Sequence, residues 1–227
     1  MFWQDPQFGN KLITLMAALV LVLQILMVAQ RWLVTNIRAF GIQSFLLGCI
    51  AVTIAYFNHA PQIYLVAALT LVFKAVVLPI VLERLVTKIG IRQEIEPLVN
   101  VPISVIVSGL LTLLAYVVAE SFREPAETTG PSNLGHNTLA VALSLFLIGF
   151  FMMVNRRKAL TQVLGFLCLE NGLFLAAISL TYGMPLLVEL GIFFDLLVAV
   201  MVLGILVYRI RETFDSMDVS KLSRLRG

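Results

Sequence analysis

The sequence predicts an all-α protein that crosses a lipid bilayer about seven times. Hydrophobic residues make up 60% of the chain and charged residues only 13%, with a mean hydropathy of +0.98. An ordinary soluble domain is about half apolar and about one quarter charged. The apolar residues are also grouped in runs near the ~20 residues that an α-helix needs to span the hydrocarbon core. Composition and run length therefore both predict a polytopic membrane protein.

Seven apolar runs define the predicted helices. They lie at 11–32, 39–57, 62–83, 101–119, 138–155, 159–181 and 186–209. Pro61, Pro102 and Pro185 fall at or near predicted helix starts, where the missing proline N–H costs least. The first run is long enough to span and follows Asp5 instead of a basic cluster, so no signal peptide is predicted.

The basic residues predict how the chain is oriented in the membrane. If the N-terminus lies outside, 13 of the 16 Lys and Arg residues fall on the cytoplasmic side. These are Arg31, Arg38, Arg84, Lys88, Arg92, Arg156, Arg157, Lys158, Arg209, Arg211, Lys221, Arg224 and Arg226. Lys11 and Arg123 stay outside, and Lys74 lies within the bilayer. Because cytoplasmic loops are enriched in Lys and Arg, we predict a cytoplasmic C-terminus.

A polar loop, predicted at 121–137, divides the chain into two parts. It is rich in Pro and Gly and lies on the outer side. We predict a four-helix part at 1–120, a three-helix part at 138–210 and a cytoplasmic tail from 211. His136 is interpreted as a solvated loop histidine. The pI near 9.0 does not predict nucleic-acid binding, because the basic residues are spread over short loops.

Four ionisable residues lie in the interior of predicted spans, away from their ends. Lys74, Glu170 and Asp195 fall near mid-depth in three different helices, and Glu189 lies about one turn into the last helix. A charge at the centre of the bilayer costs about 3 kcal/mol on insertion scales, so such groups face the bundle interior or a wet cavity. They often mark ion or proton pathways. The alternatives are a charge pair that only fixes packing and, for Glu189, snorkelling to the interface.

Three further residues are predicted to support these groups. Asn171 adjoins Glu170, and Gln43 is a polar residue within the second span. Pro79 removes the hydrogen bond to the Ala75 carbonyl and should kink the third helix beside Lys74. The carbonyl freed by Pro79 binds a water or an ammonium group, or the kink serves packing alone. Gln24, Gln43, Ser108 and Ser144 either extend a hydrated line or form hydrogen bonds between helices.

The last three predicted helices resemble the K subunit of respiratory complex I. The stretch "RRKALTQVLGFLCLENG" matches the loop and helix that carry the first of two membrane-embedded acids of that subunit, here Glu170. The second position corresponds to Asp195, a shorter acid than the glutamate of the subunit. The resemblance implies that both carboxyl groups lie on a hydrophilic axis inside the membrane.

Most of the chain resembles component E of hydrogenase-4 type complexes. The segments "FKAVVLPIVLERL", "GFLCLENG", "LVELGIFFD" and "DSMDVSKLSRLRG" carry this resemblance. It implies a subunit of the prokaryotic cytoplasmic membrane that lies between a proximal membrane subunit and antiporter-like subunits. It also implies a peripheral arm of partner subunits with iron–sulfur clusters and, in hydrogenase members, a nickel–iron site.

The sequence contains none of the motifs of soluble redox or phosphate chemistry. It has two cysteines, no Gly-rich phosphate loop and no histidine within a predicted span. We therefore predict no catalytic, cofactor-binding or metal-binding residue in this chain. The leading hypothesis is a proton-relaying membrane subunit of an energy-converting complex. The alternatives are a proton-coupled secondary transporter and a purely structural spacer subunit.

Overall fold

The described part of the chain is built of helices. The computed structural model describes residues 6–57, 61–89, 98–121, 136–157 and 159–180, together with Gly204. The elements are α1 (Pro6–Ala29), α2 (Leu33–Phe57), α3 (Pro61–Leu69), a π-helical segment (Thr70–Val77), α4 (Leu78–Ile89), α5 (Val101–Ser121), α6 (His136–Val154) and α7 (Ala159–Leu180). No strand occurs within these ranges, which confirms the predicted all-α class.

Several helices are suited to cross a membrane. Five in the described ranges are long and apolar enough by length and composition, one of them being the continuous span Ile63–Arg84 through α3, the π-helical segment and α4. Thr138–Val154 is a sixth, shorter apolar helix. The predicted seventh helix at 186–209 lies outside the described residues, except that Gly204 is helical. Seven spans and an outside N-terminus therefore stay predictions.

The ends of the first two helices differ from the prediction. α1 covers Pro6–Ala29, so it begins and ends earlier than 11–32. α2 begins at Leu33 instead of 39. The predicted start at 39 left Asn36 and Arg38 outside the second helix, and this boundary was wrong. The Asn36 side chain is buried between helices, so this polar residue belongs to the buried face of α2.

The predicted polar loop is also shorter than the sequence suggested. α5 continues to Ser121 and α6 begins at His136, so both helices extend into the predicted loop 121–137. His136 is thus the first residue of a helix and not a loop residue, and that prediction was wrong. Two prolines match their predicted role, since α3 begins at Pro61 and Pro102 is the second residue of α5.

The helices alternate in direction and share one interior. α2 packs against α1, α7 and the span formed by α3, the π-helical segment and α4, whereas α6 packs against α1, α5 and α7. The predicted four-helix and three-helix parts therefore pack directly against each other within the described ranges. We call the end of the bundle where α1 and α6 finish and α2, α5 and α7 begin the arginine end. It carries the exposed Arg31, Arg38, Arg84 and Arg157 and the buried Arg156.

Glycines bring α6 and α7 into backbone contact. A methyl group at Gly149 would lie 2.6 Å from the Leu169 Cα, and one at Gly172 would lie 2.5 Å from the Phe146 nitrogen. Gly165 approaches the backbone of Met153 in the same way. Small residues drive such close packing in membranes, where burial of apolar surface gives little preference for protein over lipid. These three glycines, the glycine interface, fix α7 and the polar side chains that it carries.

Arg156 joins two helices at the arginine end. Its side chain is 2% exposed, and Nη2 donates to the carbonyl oxygens of Val28 at 3.2 Å and Met27 at 3.4 Å. These carbonyls belong to the last turn of α1, where backbone acceptors lack helical partners. Burial lowers the pKa of the Arg156 guanidinium, but an arginine remains protonated at neutral pH.

We expect Arg156→Gln to destabilise the protein by about 2 kcal/mol, because the hydrogen bonds from a charged donor to α1 are lost. Thermal unfolding in detergent measures the change. Arg157→Gln is the matched control, since Arg157 is exposed and its replacement should alter stability by less than about 0.5 kcal/mol. Equal effects of the two variants would contradict the anchoring role of Arg156.

Candidate functional site

The buried polar side chains form a layer between two apolar clusters. Toward the arginine end lies the arginine-end cluster, which consists of Met27, Val28, Leu33, Ile37, Phe40, Leu78, Leu82, Val86, Ile148, Met152, Val163, Leu164, Leu167 and Cys168. Beyond the polar layer lies the far-end cluster, which consists of Ile13, Met16, Ala17, Val20, Leu47, Ile50, Ala51, Ile54, Ala55, Ile63, Val66, Ala67, Val141, Ala142, Leu145, Phe174, Leu175 and Ile178.

Four spans place polar residues between these clusters in the same order. We call this layer the polar belt; its members are Gln24, Gln43, Ser44, Thr70, Lys74, Glu170 and Asn171, all 4% exposed or less. On α1 the far-end residues precede Gln24 and the arginine-end residues follow it. The order is the same along the third span and reversed on α2 and α7, as their opposite direction requires. Apolar side chains thus separate the belt from both ends of the bundle.

An ion pair joins the third span to α7 within the belt. The Lys74 Nζ lies 3.1 Å from the Glu170 Oε1, and the two side chains are 4% and 5% exposed. The ammonium group also lies 5.4 Å from the centre of the Phe174 ring, one turn further along α7. Either charge alone would be costly at this depth, so each stabilises the other. Transfer of one proton from Nζ to the carboxylate would convert the ion pair into a neutral pair.

The π-helical segment sets the position of Lys74. Pro79 has no N–H to donate to the carbonyl of Ala75, and the turns before it are widened so that the Leu78 N–H bonds to the Phe73 oxygen. The disturbance predicted from Pro79 therefore takes the form of a π-helical segment. On the facing helix, a methyl group at Gly41 would lie 3.3 Å from the Ala75 oxygen, so α2 approaches closely here.

Amide side chains connect three helices beside the ion pair. The Asn171 Nδ2 donates to the Gln43 Oε1 and the Ser44 Oγ, both at 3.2 Å. The Gln43 Nε2 donates to the Gln24 Oε1 at 2.7 Å, and the Gln24 Nε2 donates to the Met152 sulfur at 3.3 Å. Because Asn171 follows Glu170 directly, this network holds the part of α7 that carries the carboxyl group.

The structure brings together five of the seven residues singled out from the sequence. Lys74, Glu170, Asn171, Gln43 and Pro79 lie in or beside the belt. Asp195 and Glu189 lie outside the described residues.

Two other polar residues do not extend the line. Ser108 and Ser144 donate to carbonyls of their own helices, at Ser104 and Ala140, as is common for buried serines. Gln24 bonds across helices, so the interhelical alternative holds for this residue.

Sequence reasoning missed Ser44, Thr70 and the glycine interface. Thr70 precedes Lys74 by one turn, and this spacing could have placed both on one buried face. The glycines carry a weaker signal: Gly165 and Gly172 lie seven residues apart, two turns of α7, on one side of that helix. The described residues contain no group of three or more His, Cys, Asp or Glu side chains suited to hold a metal ion.

Comparison with known proteins gives one family-model match and several relatives. Residues 137–227 match the family model of NADH-ubiquinone/plastoquinone oxidoreductase chain 4L. This match includes α7 and all of α6 except His136, and therefore Glu170 and Asn171.

An uncharacterized protein of Mycobacterium tuberculosis is 38% identical over 159 residues, which cover 69% of each chain. Hydrogenase-4 component E of Escherichia coli is 26% identical over 220 residues, which cover 96% of this chain and 99% of the relative. The protein of the same name from Shigella flexneri matches equally well. No solved structure matches the chain.

Proposed function

Because the chain belongs to the hydrogenase-4 component E family, with a C-terminal part related to chain 4L, we propose that it is a non-catalytic membrane subunit of a complex I-related oxidoreductase complex. In that complex its buried ionisable side chains transfer protons or, alternatively, take part in the transport of sodium ions. The complex lies in a prokaryotic cytoplasmic membrane. Its peripheral partner subunits carry the iron–sulfur clusters and any nickel–iron site.

The observation that supports the transfer role best is the ion pair of Lys74 and Glu170. The pair occupies a polar belt that crosses four spans, and apolar clusters separate it from both ends of the bundle. Such a site can exchange a proton internally without immediate contact with either aqueous phase. A change in charge in a neighbouring subunit would shift the balance between the ionic and neutral pair. We also assign Asp195 and Glu189, which lie outside the described residues, to this relay.

We expect Glu170→Gln to reduce redox-driven ion uptake at least tenfold per assembled complex. The amide retains the shape of the carboxyl group but can no longer bind and release a proton. Membrane vesicles with a pH-sensitive dye and a sodium-selective probe measure uptake, and co-purification of partner subunits measures assembly. Glu83→Gln is the matched control, because Glu83 is a partly exposed acid paired with Arg38 near the surface.

A structural role is the second candidate. The direct hydrogen bonds among Gln24, Gln43 and Asn171 favour it, because they join α1, α2 and α7 without intervening water. If Glu170→Gln vesicles assemble and take up ions at the normal rate, the relay is wrong and the belt serves packing.

A further inference from the structure

Asn36 is a buried amide of a different kind from those in the polar belt. It is 1% exposed, and neither its Oδ1 nor its Nδ2 has a hydrogen-bond partner in the part of the chain that the structure describes. It lies on the buried face of α2 with Leu33, Ile37 and Phe40, all members of the arginine-end cluster. A buried polar group without a protein partner is a position at which proteins bind water.

Similar polar atoms without a partner lie on both sides of Asn36, toward the arginine end and toward the polar belt. At the arginine end, the Arg156 Nη1 has no partner among the described residues, although Nη2 is bonded to α1. In the belt the same holds for the Asn171 Oδ1 and the Thr70 Oγ1. Three levels of potential water-binding positions therefore follow one another from the arginine end to the ion pair.

The other side of the belt lacks such positions. Among the described residues, the buried polar side chains on that side are Thr138, Ser144 and Ser179. Ser144 donates to the Ala140 carbonyl of its own helix. Ser179 donates to the Leu175 carbonyl of its own helix at 2.6 Å, and Thr138 also has an interaction partner. On this side of the belt, each buried side chain in the described ranges is therefore either apolar or already has an interaction partner. On the side of the belt toward the arginine end, by contrast, Asn36 and Arg156 have buried polar atoms without a partner among the described residues.

Phe40 separates Asn36 from the belt. It is 0% exposed, and it lies one turn from Asn36 and just under one turn from Gln43 on the same helix. With a rise of 1.5 Å per residue, these steps along α2 are about 6 Å and about 4.5 Å. Phe40 is therefore a buried apolar side chain of α2 that lies between these two polar levels along the helix. Its displacement would let water bound at Asn36 reach the amides beside Glu170.

We propose that the arginine end is the entry side for protons: water bound at Arg156 and Asn36 delivers them to the Lys74–Glu170 pair, and Phe40 is the gate. A hydronium ion in this water passes its proton along hydrogen-bonded waters to the Glu170 carboxylate and leaves neutral water behind. The proposal rests on the proposed relay function, to which it adds a direction of entry, a water site and a gating residue.

The decisive experiment compares Phe40→Ala with Leu47→Ala in vesicles that contain the assembled complex but no redox substrate. Both side chains are 0% exposed, and they flank Gln43 and Ser44 on opposite sides along α2. With the membrane potential clamped by potassium and valinomycin, the passive decay of a pH gradient is followed with a dye. We expect Phe40→Ala to accelerate the decay at least fivefold and Leu47→Ala less than twofold. Equal decay rates in the two variants would overturn the proposal.

A second measurement does not depend on the stability of a cavity variant. In a chain with Cys49 and Cys168 replaced by Ser, Asn36→Cys should react with a small charged thiol reagent. Ile50→Cys, in the far-end cluster, should react at least tenfold more slowly. A slower reaction at position 36 would overturn the proposal. If Glu170→Gln stops pumping but Phe40→Ala does not leak, the relay stands and only the entry side is wrong.

Discussion

The double variant Lys74→Met/Glu170→Gln is expected to assemble nearly as well as the parent chain and to lose ion pumping. Removing one member of a buried ion pair leaves the other charge without compensation, which typically costs about 3–5 kcal/mol. Replacing both members with neutral side chains of similar volume is often neutral or stabilising. This variant should therefore keep its stability but lose proton transfer, because neither new side chain can bind and release a proton.

Three variants make this comparison complete. Lys74→Met and Glu170→Gln should each lower the unfolding temperature in detergent and the yield of assembled complex, and the double variant should recover both. Pumping per assembled complex should stay at least tenfold below normal in the double variant and in Glu170→Gln. A double variant that pumps normally would contradict the relay. A double variant that fails to assemble would show that the charges themselves are required for packing.

The second large effect is expected at the glycine interface. Gly149→Ala places a methyl group 2.6 Å from the Leu169 Cα, and Gly172→Ala places one 2.5 Å from the Phe146 nitrogen. Backbone atoms cannot move aside as a flexible side chain can, so α6 and α7 must separate. Overpacking of this kind costs about 1–3 kcal/mol for each site. Gly172→Ala should also disturb the ion pair, since Gly172 follows Glu170 by two residues.

Gly109→Ala is the matched control, because in the described structure no atom beyond the adjacent residues and the local backbone of its own helix lies within 4 Å of the added methyl group. Alanine is the better helix former, so this variant should be neutral or slightly stabilising, by at most about 1 kcal/mol. Thermal unfolding and pumping are measured for all three variants. If Gly149→Ala is as stable as Gly109→Ala, α6 and α7 do not pack through these glycines.

Part of the candidate site follows from single residues in the sequence. Lys74 and Glu170 are conspicuous because an ionisable side chain in an apolar run needs a partner or water. Pro79 predicts a disturbed helix because it lacks an N–H, wherever the helix packs. The start of α2 was not predicted correctly, because there the single residues do not show that the segment is packed against other helices. Asn36 and Arg38 resemble loop residues until the neighbouring helices that bury Asn36 are known.

The amino-acid sequence by itself determined that the chain is a helical membrane protein, which residues are charged inside it and where a proline disturbs the third span. These properties depend on the length and composition of each segment. Only the tertiary structure decided that Lys74 contacts Glu170, that amides from three helices join beside them and that two apolar clusters enclose the belt. The reason is that spacing along one helix fixes which of its residues share a face, whereas contacts between helices depend on how closely, and at what level, the backbones meet.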